Sequence, residues 1–127
     1  MEIGNLFENG TISTTEKTIS SGGIAYNPHT KFKGVSLKHL VTGEMTENKI
    51  SCHLVHVEPN CTLELHTHPD NLEIHEVISG GGIFYNGDIK ATYTAGSVGI
   101  IPANVSHKVE AGEDGIYILA KFIPALL

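Results

Sequence analysis

Thr62-Leu63-Glu64-Leu65-His66-Thr67-His68-Pro69-Asp70-Asn71-Leu72-Glu73-Ile74-His75-Glu76-Val77-Ile78-Ser79-Gly80 is the stretch whose reading decides the fold. Side chains alternate in character on both sides of Pro69-Asp70-Asn71, which reads as a turn between two strands. Residues two apart in a strand share a face, so His66 and His68 project together while Thr67 points the other way. A hairpin turn at Pro69 to Asn71 then brings Glu73 back against them on the neighbouring strand. It supplies a hard oxygen donor beside two borderline nitrogens, the makings of a metal site.

A fourth donor is needed, and Gly96-Ser97-Val98-Gly99-Ile100-Ile101-Pro102-Ala103-Asn104-Val105-Ser106-His107 offers His107 at the start of another strand, after a turn at Pro102 to Asn104. These two segments resemble the two motifs of the cupin superfamily: His66, His68, Glu73 and Gly80 match the first, and Gly96, Pro102 and His107 the second. The resemblance covers roughly residues 34 to 122. It implies an all-β fold, a double-stranded antiparallel β-barrel of jelly-roll type. It also implies one divalent transition metal, Mn, Fe, Co, Ni or Zn, held by His66, His68, Glu73 and His107. Two departures stand out: Asn104 where the motif usually has Gly, tolerable because both accept positive φ, and Ala111 where it often ends in Asn. Neither removes a ligand.

At 127 residues the chain is a single domain, read as an N-terminal arm over residues 1–33 packing on a barrel of residues 34–127. Two cysteines, Cys52 and Cys61, fit neither a disulfide framework nor a zinc knuckle and suit a reducing compartment. Without the basic start and apolar run of a secretory signal, the default location is cytoplasmic, and no stretch is apolar enough to span a membrane. The formal net charge is −6 and all eight basic residues are lysines. That composition argues against nucleic acid as a partner. Lys31, Lys33 and Lys38 form the one local cluster, read as a solvated strand face. Without arginine, an anionic ligand has no bidentate clamp, which points to a weakly charged small molecule.

Short β-prone segments alternate with turn signals over residues 35–41, 49–57, 62–68, 73–78, 83–85, 89–93, 98–101, 107–111 and 116–123. Gly80-Gly81-Gly82 reads as a break, and Asn86-Gly87 as a type I′ hairpin turn. Helix is hard to place anywhere. Leu63, Leu65, Ile74 and Ile78 fall on the face opposite the ligands, an apolar patch that, with the habit of small cupins, predicts a homodimer.

Strand parity puts Glu64 on the wall of His66 and His68 if the strand is regular, whereas a bulge would turn it to the rim. Glu73, His75 and Val77 share a face, making His75, with Glu64, a candidate for acid–base catalysis. His53 and His56, three apart, point to opposite faces. His29 and His39 lie outside the motifs and read as surface residues; Phe84, Tyr85, Tyr93 and Phe122 read as core. Three imidazoles and one carboxylate leave an octahedral metal two open positions. The expectation is a metal-dependent enzyme of dioxygenase, isomerase or lyase type, acting on a small polar metabolite such as a sugar acid or diketone. The alternative is a protein that only binds or senses a metal-anchored small molecule.

Overall fold

The computed structural model describes residues 4–127, whose regular structure is almost all antiparallel strand. A short helix α1 (Gly4–Glu8) leads into a hairpin of β1 (Thr11–Ser13) and β2 (Thr18–Ser20). Then come β3 (Asn27–Pro28), β4 (Val35–Val41), a helical turn α2 (Gly43–Thr46), β5 (Ser51–Val57) and β6 (Thr62–His66). The remainder is β7 (Leu72–Asn86), β8 (Ile89–Thr94), β9 (Val98–Ile101) and β10 (His107–Ile123).

The two long strands organise everything else. The early part of β7 pairs with the late part of β10, and this half carries β9 on one side and β5, β4 and β3 on the other. The late part of β7 pairs with the early part of β10, and that half carries β8 and β6. Each long strand thus belongs to both halves, which face each other over a common core in the jelly-roll manner. Val55, Val57, Ile116, Ile118 and Phe122 from one half pack in a single cluster with Leu63, Phe84, Tyr93 and Val109 from the other. Val57, Val109 and Ile116 are fully buried, each worth about 1.5–3 kcal/mol relative to an exposed position.

Four expectations about local structure are corrected. Gly80 to Gly82 do not end a strand. They lie within β7 where it passes β10 from one half to the other, and a Cβ on Gly80, at φ +75°, would stand 2.1 Å from the Gly115 carbonyl oxygen. Glycine there permits a close backbone crossing rather than a turn. The segments 107–111 and 116–123 likewise join as β10, with a register shift between Ala111 and Ile116 absorbing the bend. At the β7–β8 hairpin Asn86 pairs with Ile89, so the central residues are Gly87 and Asp88, and only Gly87 has positive φ. That is the type II′ pattern, not type I′. Finally, β6 and β7 do not pair with each other; both pair with β10, so Pro69 to Asn71 turn a connection between halves rather than a hairpin.

Lys38 is also not solvated. It is buried, its Nζ donates to the carbonyls of Glu8 (3.1 Å) and Ser21 (2.9 Å), and it lies 5.0 Å from the centroid of the Tyr26 ring. Through it the N-terminal segment is tied to β4, while β3 adds directly to the main sheet. Leu63 leaves the proposed outer patch for the core, whereas Leu65 is exposed and Ile74 and Ile78 are half-buried. Both cysteines are free thiols, and among the described residues no helix is long and apolar enough to cross a membrane.

Candidate metal centre

His66 and His107 sit directly opposite each other where β6 ends and β10 begins. His68 follows in the connection, whose path is fixed by its carbonyl accepting from the Asn104 N–H at 2.9 Å. Asn104 reaches that position with φ 66°, the left-handed geometry foreseen for it. Glu73 enters from β7, held between Ile101 of β9 and Phe122 of β10. One donor atom from each of His66, His68, Glu73 and His107 lies within 4.8 Å of all the others. The four predicted ligands are therefore brought together, from two strands of one half, one of the other, and a loop.

The parity argument fails at one place, and the failure decides Glu64. Between His107 and Val109, two residues apart, β10 faces the three-residue step from His66 back to Leu63, so β6 carries a bulge. The extra residue turns Leu63 inward with His66 and leaves Glu64 and Leu65 exposed. Glu64 is consequently not brought to the centre by its side chain. Its carbonyl oxygen is, accepting a hydrogen bond of 2.6 Å from His66 Nδ1.

That bond and its counterpart at His107, whose Nδ1 donates to the Val105 carbonyl at 3.0 Å, fix both tautomers. A carbonyl oxygen can only accept, so the proton is on Nδ1 and each neutral ring keeps a lone pair on Nε2. Burial, reinforced by the neighbouring imidazoles, pushes the pKa of His66 down to about 4, and burial lowers that of His68. Neutral rings are the form that ligates a cation. Burial works against ionisation of Glu73, but the adjacent His107 and His75 outweigh it and hold the carboxyl well below the usual carboxylate range. Burial likewise opposes protonation of His107, yet Glu73 raises its pKa above the ordinary value.

Glu73 Oε1 and His107 Nε2 stand 3.0 Å apart, and each is a buried polar atom without a hydrogen-bond partner. Without a metal, a proton on His107 pairs the two as an ion pair; with the ring neutral, two acceptors face each other in the interior, which is costly unless a cation satisfies both. Oxygen and imidazole nitrogen together suit a divalent transition metal, so the donor set fits the expected ion.

His75 lies behind this cluster. Its Nε2 is 2.7 Å from Glu73 Oε2 and its Nδ1 3.0 Å from the Tyr93 hydroxyl. The carboxylate must accept, so Nε2 carries the proton and Tyr93 donates to Nδ1. Both ring nitrogens are thus engaged within the chain. A Cβ on Gly99 would stand 2.0 Å from the Tyr93 oxygen, so β9 needs glycine there for Tyr93 to reach His75. Sequence reading placed Tyr93 in the core, where it is, but missed this role, because Tyr93 of β8 and His75 of β7 lie 18 residues apart and meet only through tertiary packing.

A cavity of about 110 Å³ opens beside the donors. His66, His68, Glu73 and His75 form its polar side; Val35, Leu37, Val55, Leu63, Ile118 and Phe122 supply aliphatic and aromatic wall. His29 also lines it and so is not the plain surface residue expected. Of the disputed pair, His53 faces inward and is fully buried, while His56 stacks on Tyr117 at 4.2 Å between ring centroids. His39, also read as surface, is half-buried against His53, with their Nδ1 atoms 2.8 Å apart.

Residues 53–119, more than half the chain, match the family model for the cupin domain. Among solved structures, a predicted oxalate decarboxylase from Thermotoga maritima is similar at 25% identity and a TM-score of 0.74, over 81% of this chain and 95% of that one. KdgF from a Halomonas species is similar at 16% identity and a TM-score of 0.69, over 79% of this chain and 87% of that one. A variant oxalate decarboxylase from Bacillus subtilis shares the fold at 20% identity and a TM-score of 0.75, over 93% of this chain but 31% of its own length. No curated protein matches the sequence.

Proposed function

The chain belongs to the cupin domain family, and from that premise we propose that it is a metal-dependent enzyme for a small molecule with a metal-chelating head and a short apolar body. The observation that carries this is the convergence of four donors, one each from His66, His68, Glu73 and His107, within 4.8 Å of one another, with Glu73 Oε1 and His107 Nε2 buried at the focus. A divalent Mn, Fe, Co, Ni or Zn ion held by His66, His68, Glu73 and His107 would supply Lewis-acid polarisation of a substrate oxygen. Glu73 contributes the one negative charge of the set, and His75, backed by Tyr93, keeps that carboxylate turned to the centre.

The walls set the substrate class. A cavity of 150 Å³ accepts a benzene ring, and this one, at about 110 Å³, is smaller, with partly exposed His29, His66 and His68 on its solvent side. No lysine lines it and the chain has no arginine. A 2-oxo acid or dicarbonyl with a few carbons therefore suits it better than the polyhydroxylated sugar acid first expected. Oxalate, named for the Thermotoga and Bacillus proteins, is a dianion with no apolar part, and these walls offer it little.

A metal-anchored binding protein is the second reading. What favours it is that His75 has no nitrogen left for a substrate and Glu64 is at the surface, so neither catalytic candidate is free to move a proton at the ligand. Elemental analysis of protein purified without added metal tests the centre: about one divalent ion per chain is expected, falling to near zero in the double variant His66→Ala/His68→Ala. Full metal content in that variant would overturn the assignment. Product formation from 2-oxo acids or diketones, with Fe²⁺, Mn²⁺, Ni²⁺ or Zn²⁺ supplied in turn, separates enzyme from binder.

A further inference from the structure

We propose that His29 is the residue that selects the ligand, donating a hydrogen bond from Nε2–H to a second, neutral acceptor group on the molecule held at the metal centre. This rests on the reading of that centre as a metal-anchored ligand site. His29 lies outside the residues that match the family model, in the loop between β3 and β4. Its side chain nevertheless lines the same cavity as His66, His68 and Glu73.

The local chain leaves that ring little freedom. Nδ1 accepts from the backbone N–H of Lys31 at 3.1 Å and of Phe32 at 3.2 Å. A nitrogen that accepts two N–H groups carries no proton, so the proton of the neutral ring is on Nε2. The ring is further fixed by stacking on Phe32, with centroids 4.3 Å apart and planes 11° from parallel. Phe32 in turn lies 6.1 Å from the His66 ring, which ties the loop to the metal side of the cavity. Among the described residues, Nε2–H of His29 has no hydrogen-bond partner, and apart from the ligand cluster and His75 the cavity lining is entirely apolar. A donor of fixed tautomer on a ring held in place, at the partly exposed side of a cavity whose far walls are apolar, discriminates between ligands of equal shape: it favours one that presents an acceptor there.

Two near-isosteric probes read this directly, 2-oxohexanoate and 4-methoxy-2-oxobutanoate, which share the chelating 2-oxo acid head and differ by an ether oxygen in place of one methylene. Their binding to Zn²⁺-loaded protein is measured by calorimetry for the wild type and for His29→Asn. The asparagine carbonyl keeps an acceptor for the two backbone N–H groups, as in an Asx turn, but its amide stops short of where Nε2 sat. The expected result is a roughly 3- to 10-fold loss of affinity for the methoxy probe, the worth of one hydrogen bond. Affinity for 2-oxohexanoate should change less than about 2-fold, with metal content and melting temperature held.

Equal losses for both probes, or no loss for either, would overturn the role of His29 and leave the metal centre standing. The centre is tested separately by the same titrations on metal-free protein. If 2-oxohexanoate binds there as well as to the Zn²⁺ form, the metal-anchored reading fails, whatever His29 does. If neither probe binds the Zn²⁺ form, the proposed chelating head is wrong and the role of His29 falls with it.

Discussion

His66, His68 and His107 meet around Glu73, whereas His39 and His53 meet across β4 and β5 with Ser51 beyond them. Both groups are inside the same fold and both hold imidazoles at close range. In the second group every contact closes on another protein atom. His39 and His53 share a proton between Nδ1 atoms 2.8 Å apart, His53 Nε2 is 2.9 Å from the Ser51 hydroxyl, and that oxygen accepts from the Leu126 N–H at 2.8 Å. In the first, two Nδ1 protons are spent on carbonyls and the remaining donor atoms converge, with those of Glu73 and His107 buried and facing each other at 3.0 Å. Histidine density alone therefore does not make a metal site. What separates the groups is a carboxylate at the focus of donor atoms that converge on one point.

The largest effect expected from this contrast is on metal content. Glu73→Gln keeps the shape but removes the only negative charge among the four donors, and its loss should lower metal affinity by more than about 100-fold, beyond what losing an outer partner costs. His53→Gln should leave metal content at the wild-type level. Equal metal loss in both variants, measured by elemental analysis after equilibration with a weak chelator, would erase the distinction between the two groups.

Much of the metal side was legible because its information is local. The two-residue spacing of His66 and His68, the turn at Pro69 to Asn71 and the strand-initial His107 all survive in the structure, although the two strands that the turn joins do not pair with each other. The β-prone segments of β4, β5 and β10 were likewise legible between their turn residues, although β10 read as two strands. What was not legible depends on register between distant strands. The bulge that exposes Glu64 and buries Leu63 is visible only in the pairing of β6 with β10, since nothing in Thr62-Leu63-Glu64-Leu65-His66 breaks the alternation. His39 met His53 for the same reason: they are cross-strand partners 14 residues apart. Lys38 looked solvated because lysine usually is, and only the backbone carbonyls of Glu8 and Ser21 make its burial tolerable.

An intermediate effect tests whether the closed contacts behind the metal side matter to it. Tyr93→Phe deletes one hydroxyl and leaves the ring stacked on Phe84, whose centroid is 4.4 Å away. His75 then loses the donor to its Nδ1, and Glu73 is held less firmly. Metal affinity should fall by about 10-fold, toward the low end of the range for outer partners. A stability loss of about 1 kcal/mol should accompany it. A fall in stability with unchanged metal affinity would mean that Tyr93 and His75 serve packing only.

The smallest effect concerns the second group and is read in pH. Burial, with repulsion from His39 added, pushes the pKa of His53 down to about 4, against an ordinary value near 6.5, while Glu73 pulls weakly the other way. The folded state therefore refuses a proton that the unfolded chain accepts between those two values. By linkage, the contribution of His53 is constant above about pH 6.5, erodes as pH falls toward 4, and changes no further below that. Its slope at the steepest is roughly 1 kcal/mol per pH unit. Glutamine at position 53 cannot titrate, so urea denaturation of metal-free His53→Gln should give a shallower loss of stability from pH 6.5 to 4.5 than metal-free wild type. The histidines away from this pair remain in both proteins and cancel in the difference, whereas His39, hydrogen-bonded to residue 53, is part of what the comparison reads. Parallel curves would show that His53 accepts its proton inside the fold as readily as in the unfolded chain. The closed chain from His39 to Ser51 would then be as open to charge as the centre around Glu73, and the contrast between the two groups would be lost.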